Sequence, residues 1–282
     1  MVRIPVTINI LLIGFFLVFG ILVSRKAIKK YPDLKLETVL KKIPSFYILL
    51  PVPAIVFGIN KFLQYKPTLL WNVPLWLQYH YSSITWGMIL GLLTFIFSFA
   101  SFLAIKTDHR QKYHLIVAGL IFITAIQSAQ WVYTRPIAPQ LEEKVNRDSV
   151  IIQTSFVSCG AAAAANILKA FGINKTEKEM ANLFGTSVIN GTSAAQVVYG
   201  MRKLGFNCRM KFDENRDTLI INPPALLYFG KGTAWAKFHA VAFMGYQDGK
   251  AEIRDPINGK AYLTKEQLEK EWSGYCIEFQ KI

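Results

Sequence analysis

The 282-residue chain has only three cysteines and four histidines, and neither a C-x-x-C pair nor an H-E-x-x-H stretch occurs. The usual zinc spacings are therefore missing. His80, His109 and His114 lie in or beside apolar runs, away from His239, so no metal site and no cofactor is expected. A G-x-x-x-x-G-K-[ST] phosphate loop is absent too, which excludes that class of nucleotide hydrolase. Low-complexity tracts and internal repeats are also lacking. Acidic residues are scarce in the first half: residues 1–147 hold 16 Lys plus Arg against 5 Asp plus Glu, whereas residues 148–282 hold 16 against 13. The first half thus supplies +11 of the net +14. Nucleic-acid binding would need that excess on a folded surface with interleaved aromatics. Here it sits in short segments between apolar runs, so it reads as a membrane-topology signal and no nucleic-acid partner is expected.

What is present in the first half is four long apolar runs, at about 6–23, 43–63, 84–105 and 113–133. Each approaches the roughly 20 residues that a bilayer requires. The first lacks the strongly basic start and small-residue cleavage site of a secretory signal, and Arg25, Lys26, Lys29 and Lys30 follow it as a stop-transfer flank. The second is expected to be kinked by Pro51 and Pro53. Lys and Arg concentrate between the first and second runs and between the third and fourth, which places those segments in the cytoplasm. Trp71, Trp76, Tyr79 and Tyr81 suit an outer interfacial belt. The expectation is a multi-pass protein of a bacterial cell membrane with both ends outside and the lipid bilayer as partner. Residues 136–147 then read as a linker, and 148–282 as one extracytoplasmic domain.

That domain begins with helical signals and ends with strand-like ones. An alanine-rich helix is expected over Cys159 to Phe171, closed by Gly172; Asn174 or Thr176 caps a second, Glu177 to Phe184; Gly191-Thr192-Ser193 introduces a third, Ala194 to Leu204. Strands are expected at 206–212, 225–229, 239–246, 251–254 and 275–279, with a turn at Gln247-Asp248-Gly249 and a last helix, capped by Thr264, over Lys265 to Trp272. Helices first and an antiparallel sheet afterwards make an α+β domain.

Three polar residues invite a chemical reading. Cys159 precedes the alanine run, so its sulfur should lie at a helix N-terminus, where the dipole and free N–H groups favour a thiolate. Gln153, six residues earlier, could offer its amide beside that sulfur. A small buried cysteine before a packed helix is the other reading. His239 opens a hydrophobic strand and could equally be structural. Asp255, before Pro256, is an ordinary turn opener. A hairpin between the two strands would nonetheless bring the start of one beside the end of the next, making His239 and Asp255 neighbours. Cys208 and Cys276 could pair or remain two buried thiols.

The ordered set of Gln153, Cys159-Gly160, Asn190-Gly191-Thr192-Ser193, Lys203-Leu204-Gly205, Pro223-Pro224-Ala225, His239, Asp255-Pro256 and Trp272-Ser273-Gly274 resembles the C39 cysteine peptidases. These are papain-like domains that include the bacteriocin-processing peptidases cutting after a double glycine. The resemblance spans about residues 148–282. It implies Cys159 as nucleophile, His239 as general base and acid, Asp255 as the residue orienting the imidazole, and Gln153 in the oxyanion hole. Many members carry an acidic residue before the nucleophile, where this chain has Ser158. Transporter-linked members place the peptidase ahead of six membrane helices and an ATPase, an arrangement this chain lacks. The expected function is a membrane-anchored cysteine peptidase acting on secreted or membrane-tethered peptides or proteins, beside a separate exporter or membrane complex. A non-cleaving peptide-binding domain and a thioester-forming acyltransferase are the alternatives.

Overall fold

In the computed structural model the described residues are 3–32, 34, 38–43, 47, 51–65, 69, 73–104, 109–230 and 238–282. They form two compact units, Met1–Lys66 with His80–Trp131, and Pro67–Tyr79 with Val132–Ile282. The first half is helical: α1 Arg3–Lys30, α2 Val39–Lys42, α3 Val52–Tyr65, α4 Leu75–Ala104 and α5 His109–Thr134.

Among the described residues, two helical segments are long and apolar enough to cross a membrane, Asn9–Lys30 and Ser83–Leu103, against the four runs read from sequence. The apolar part of α5, Ile116–Val132, is shorter. For the second run, residues 44–46 and 48–50 lie outside the described set, and α3 has 14 residues. The prolines expected to kink a helix there start one instead: Pro53 falls in the first turn of α3, where its missing N–H costs nothing. Within the first unit, α1 and α4 approach closely because α4 offers glycine at Gly87 and Gly91. A Cβ on the first would lie 2.5 Å from Asn9 Oδ1, and one on the second would strike the Phe16 ring. This is the small-residue spacing through which apolar helices pack without a hydrophobic driving force.

The second unit is α+β. A short 3-10 turn, Ala138–Gln140, precedes α6 Cys159–Ala170, α7 Glu177–Phe184 and α8 Ala194–Lys203. Strands β1 Phe206–Phe212, β2 Ala225–Phe229, β3 His239–Gln247, β4 Lys250–Asp255 and β5 Gly259–Leu263 follow, then α9 Lys265–Glu271 and β6 Trp272–Lys281. All neighbours in the sheet are antiparallel, in the order β1-β6-β2-β3-β4-β5. Residues 136–147, expected to be a linker, pack on this unit: Ile137, Ala138 and Leu141 are buried in its core, and Ile137 N–H donates to Thr186 O at 3.0 Å.

Local chemistry sets the helix ends. Capping boxes pair Thr176 with Glu179, Ser193 with Gln196 and Thr264 with Gln267 at the starts of α7, α8 and α9. Helix α6 is different, because Gly160 through Leu168 are all buried. A helix apolar all round belongs inside a core. Small side chains let it lie close to the sheet, where Ala240 and Ala242 of β3 face it with Leu226 and Ile277. Val241, Phe243, Leu227 and Cys276 alternate to the other face, under Leu268 and Trp272. Asn166 is the one polar member of that buried helical stretch. It imitates a strand, accepting Ile151 N–H at 2.8 Å and donating to Ile151 O at 2.9 Å.

Candidate active site

Cys159 is the first residue of α6, and the loop before it is held from two sides. Thr154 donates its N–H to both carboxylate oxygens of Glu177, at 3.0 and 3.1 Å, and its hydroxyl to Oε2 at 2.8 Å. Glu177 is only 1% exposed, so these bonds compensate a buried charge at the positive end of α7. On the other side Gly191 has φ +68°, and a Cβ there would sit 2.9 Å from Val157 O. Glycine is required by both the backbone angle and the close approach. Removing the carboxylate by Glu177→Ala strands the Thr154 donors, with an expected loss of about 1–3 kcal/mol in denaturant unfolding of the domain. An unchanged midpoint would refute this bracing role.

His239 starts β3 and Asp255 ends β4, and the hairpin brings them together. His239 Nε2 lies 2.7 Å from Asp255 Oδ1. The same imidazole and the backbone N–H groups of Ala240 and Gly160 lie near enough to the Cys159 sulfur to act on its thiol. With Nε2 on the carboxylate, Nδ1 is the ring nitrogen left to face sulfur. Three expected site residues therefore form one chain of contacts: carboxylate, imidazole, thiol.

The electrostatics follow from those contacts. Burial by itself would raise the Cys159 thiol, but the hydrogen bond and charge of His239 and the two backbone donors bring it below the ordinary value. Burial would also depress His239; hydrogen bonds to Asp255 and Cys159, with their negative charges, outweigh it and raise the imidazole to about 9. Burial opposes ionisation of Asp255 too, yet His239, Ile257 N–H and Asn258 hold its carboxyl below the usual range. The arrangement shifts the pair toward a thiolate beside an imidazolium. Burial drives Cys208 and Cys276 the other way, each pushed up to about 12. Both are free thiols, and they point into opposite faces of the sheet, which answers whether they pair.

Gln153 is in the loop but turned aside. Its backbone N–H donates to Pro256 O at 2.8 Å, while Nε2 donates to Ser155 O at 2.9 Å. Its Oε1 is buried and unpartnered. A second unpartnered atom is the buried hydroxyl of Tyr228, opposite Ala240 in the β2–β3 ladder. Burial first, then the charge of Cys159, raises that phenol above its ordinary value. Nothing in the sequence singles out Tyr228, because a tyrosine in a strand is ordinary. Phe156, 93% exposed, projects from the same loop as Gln153. Among the described residues no cluster of three or more His, Cys, Asp or Glu side chains is arranged to hold a metal.

Residues 147–282 match the Peptidase C39 family. Over 130 residues the chain is 30% identical to the lactococcin-G-processing and transport ATP-binding protein LagD of Lactococcus lactis subsp. lactis, a match covering 45% of this chain and 18% of LagD. It is also 30% identical over 135 residues to an uncharacterized protein of Methanothermobacter marburgensis, covering 48% of this chain and 90% of that protein. Among solved structures, the peptidase domain of Streptococcus ComA, a bifunctional ABC transporter of a quorum-sensing pathway, has 28% identity and a TM-score of 0.39, covering 46% of this chain and 96% of that domain. Residues 147–282, the α+β part of the chain, thus form a domain of the Peptidase C39 family.

Proposed function

We propose that the protein is a membrane-anchored cysteine peptidase, with Cys159 as nucleophile, His239 as acid and base, and Asp255 orienting the imidazole. The observation that carries this reading is the continuous contact from Asp255 Oδ1 through His239 to the Cys159 sulfur, with the imidazole raised and the thiol lowered. Paired shifts of that kind suit a nucleophile and its proton carrier.

The thiolate adds to the scissile carbonyl carbon, and the π electrons move to oxygen. On collapse the C–N bond breaks, and His239 gives its proton to the departing amine, leaving a thioester on Cys159. Water then attacks, His239 takes its proton, and the C–S bond breaks to release a carboxylic product and the thiol. Developing negative charge on the oxygen needs donors. The Cys159 N–H at the start of α6 supplies one. The Gln153 carboxamide supplies a second once it turns from Ser155 O, exchanging one hydrogen bond for another.

Family membership supports a peptide substrate, and cleavage after a small pair such as Gly-Gly is the family expectation. LagD is named for processing and transport together, which supports a separate exporter as partner. The two crossing-length helices support anchoring. Four crossings with the domain outside, on secreted or membrane-tethered substrates, is the finer reading that the Lys and Arg distribution favours.

A thiol-directed activity probe on the full chain, followed by mass spectrometry of peptide products, tests this. Labelling at Cys159 with hydrolysed peptide ends is the expected result. Absence of labelling would leave a peptide-binding domain, and new amide links would make it an acyltransferase.

A further inference from the structure

The contacts of Asp255 reach one residue beyond the carboxylate, imidazole and thiol. Its Oδ1 accepts from His239 Nε2 at 2.7 Å and from Ile257 N–H at 2.8 Å, while Oδ2 accepts from Asn258 Nδ2 at 2.7 Å. A carboxylate held through one oxygen can still rock about its Cβ–Cγ bond. A donor on each oxygen removes that freedom. We infer that Asn258 is a positioning residue, whose carboxamide clamps the far oxygen of Asp255 so that the near oxygen stays on His239.

The orientation of Asn258 is set by chemistry, because a carboxylate oxygen at 2.7 Å must meet the amide nitrogen and not its oxygen. Asn258 is itself exposed, yet this donor turns inward onto a side chain that is 13% exposed. The backbone around it is fixed at both ends. Pro256 O receives Gln153 N–H at 2.8 Å, and Gly259, at φ +88°, leaves no room for a Cβ beside Asn146 Nδ2. One five-residue turn therefore carries the carboxylate, its clamp and the anchor of the Gln153 loop.

Other charges near the turn are engaged elsewhere. Arg254 and Lys260 both pair with Glu252, at 3.2 and 3.3 Å. Cys159 of α6 acts on His239, and its charge also reaches the Tyr228 phenol of β2. A change at Asn258 should then be felt by Asp255 and passed to His239 and Cys159.

The inference rests on the peptidase reading, but its test needs no substrate. Full-length protein in detergent is alkylated with iodoacetamide across pH 4–10, and modification of Cys159 is followed by peptide mass spectrometry. Cys208 and Cys276, buried and protonated, stay silent. In Asn258→Ala the carboxylate holds the imidazolium less firmly. The acid-side midpoint for Cys159 should move to higher pH, and the rate at pH 6 should fall about 3–10-fold. In an Asp255→Ala background the same change should do nothing more, since the residue acts through that carboxylate. Asn258→Ser keeps a turn-compatible residue whose hydroxyl is too short to reach Oδ2, and should repeat the shift. An unmoved midpoint in both variants, or an equal loss in the Asp255→Ala background, would overturn the clamp. Wild-type Cys159 reacting no faster than an ordinary thiol would instead overturn the peptidase reading.

Discussion

Cys159→Ala is expected to abolish the proposed peptide hydrolysis by the full-length protein, a loss on the order of 10⁶-fold in kcat where the nucleophile is the whole route. The fold should survive it. Alanine occupies less space than cysteine, continues an alanine-rich helix, and replaces a side chain that is only partly buried. The expected picture is a stable, inactive domain that still binds peptide, and the uncleaved peptides that accumulate with it name the substrate. Cys159→Ser should be nearly as inert, because His239 cannot keep a serine hydroxyl ionised as it does a thiol. Residual hydrolysis in Cys159→Ala above a few parts per thousand would end the assignment.

The second large effect is expected at Asp255. Asp255→Asn keeps the shape and removes the charge, and a fall in kcat/KM of about 10²–10⁴-fold is expected by analogy with triads whose carboxylate is neutralised. The direction of the pH change is fixed by the hydrogen bonds. Asp255 helps to hold His239 protonated up to about 9, so activity that needs thiolate and imidazolium rises as Cys159 ionises and falls as pH passes about 9. Without the carboxylate charge the alkaline limb should move down toward the ordinary imidazole range. Stability obeys the same sign. A raised imidazole contributes stability fully below its unfolded value and loses it as pH rises through the folded one. The His239 part of the variant's stability deficit should therefore be larger at pH 6 than at pH 10. An alkaline limb that stays at about 9 in Asp255→Asn would show that the carboxylate does not hold the imidazolium.

Much of this site was legible before any coordinates. The alanine run named its own helix, Thr176 and Ser193 named the starts of two more, and alternating residues named β1 and β2 to the residue. The meeting of His239 with Asp255 followed from reading a hairpin. What escaped has physical reasons. Strand β5 is five residues long, lies at the sheet edge and alternates weakly, so Gly259–Leu263 resembled the tail of a turn. β6 starts at Trp272 directly after α9 with no loop to announce it. Residues 136–147 read as a linker because Pro136, Pro139, Glu142, Glu143 and Lys144 punctuate them, while three apolar side chains, Ile137, Ala138 and Leu141, do the packing. Tyr228, Asn258 and Glu177 matter through partners distant in sequence or through the aim of one polar atom. Neither leaves a trace in periodicity.

The enclosure of α6 also bears on motion. Amides of Gly160 through Leu168, all buried in the core of the domain, should exchange with deuterium only when the whole domain opens. The Cys159 sulfur is thus mounted on what should be the slowest-opening part of the domain, so its conformational freedom is given up at folding and not at each encounter with the proposed peptide substrate. Any reshaping that accompanies substrate capture falls to the segments around it, the Gln153–Ser158 loop and the Asp255–Gly259 turn.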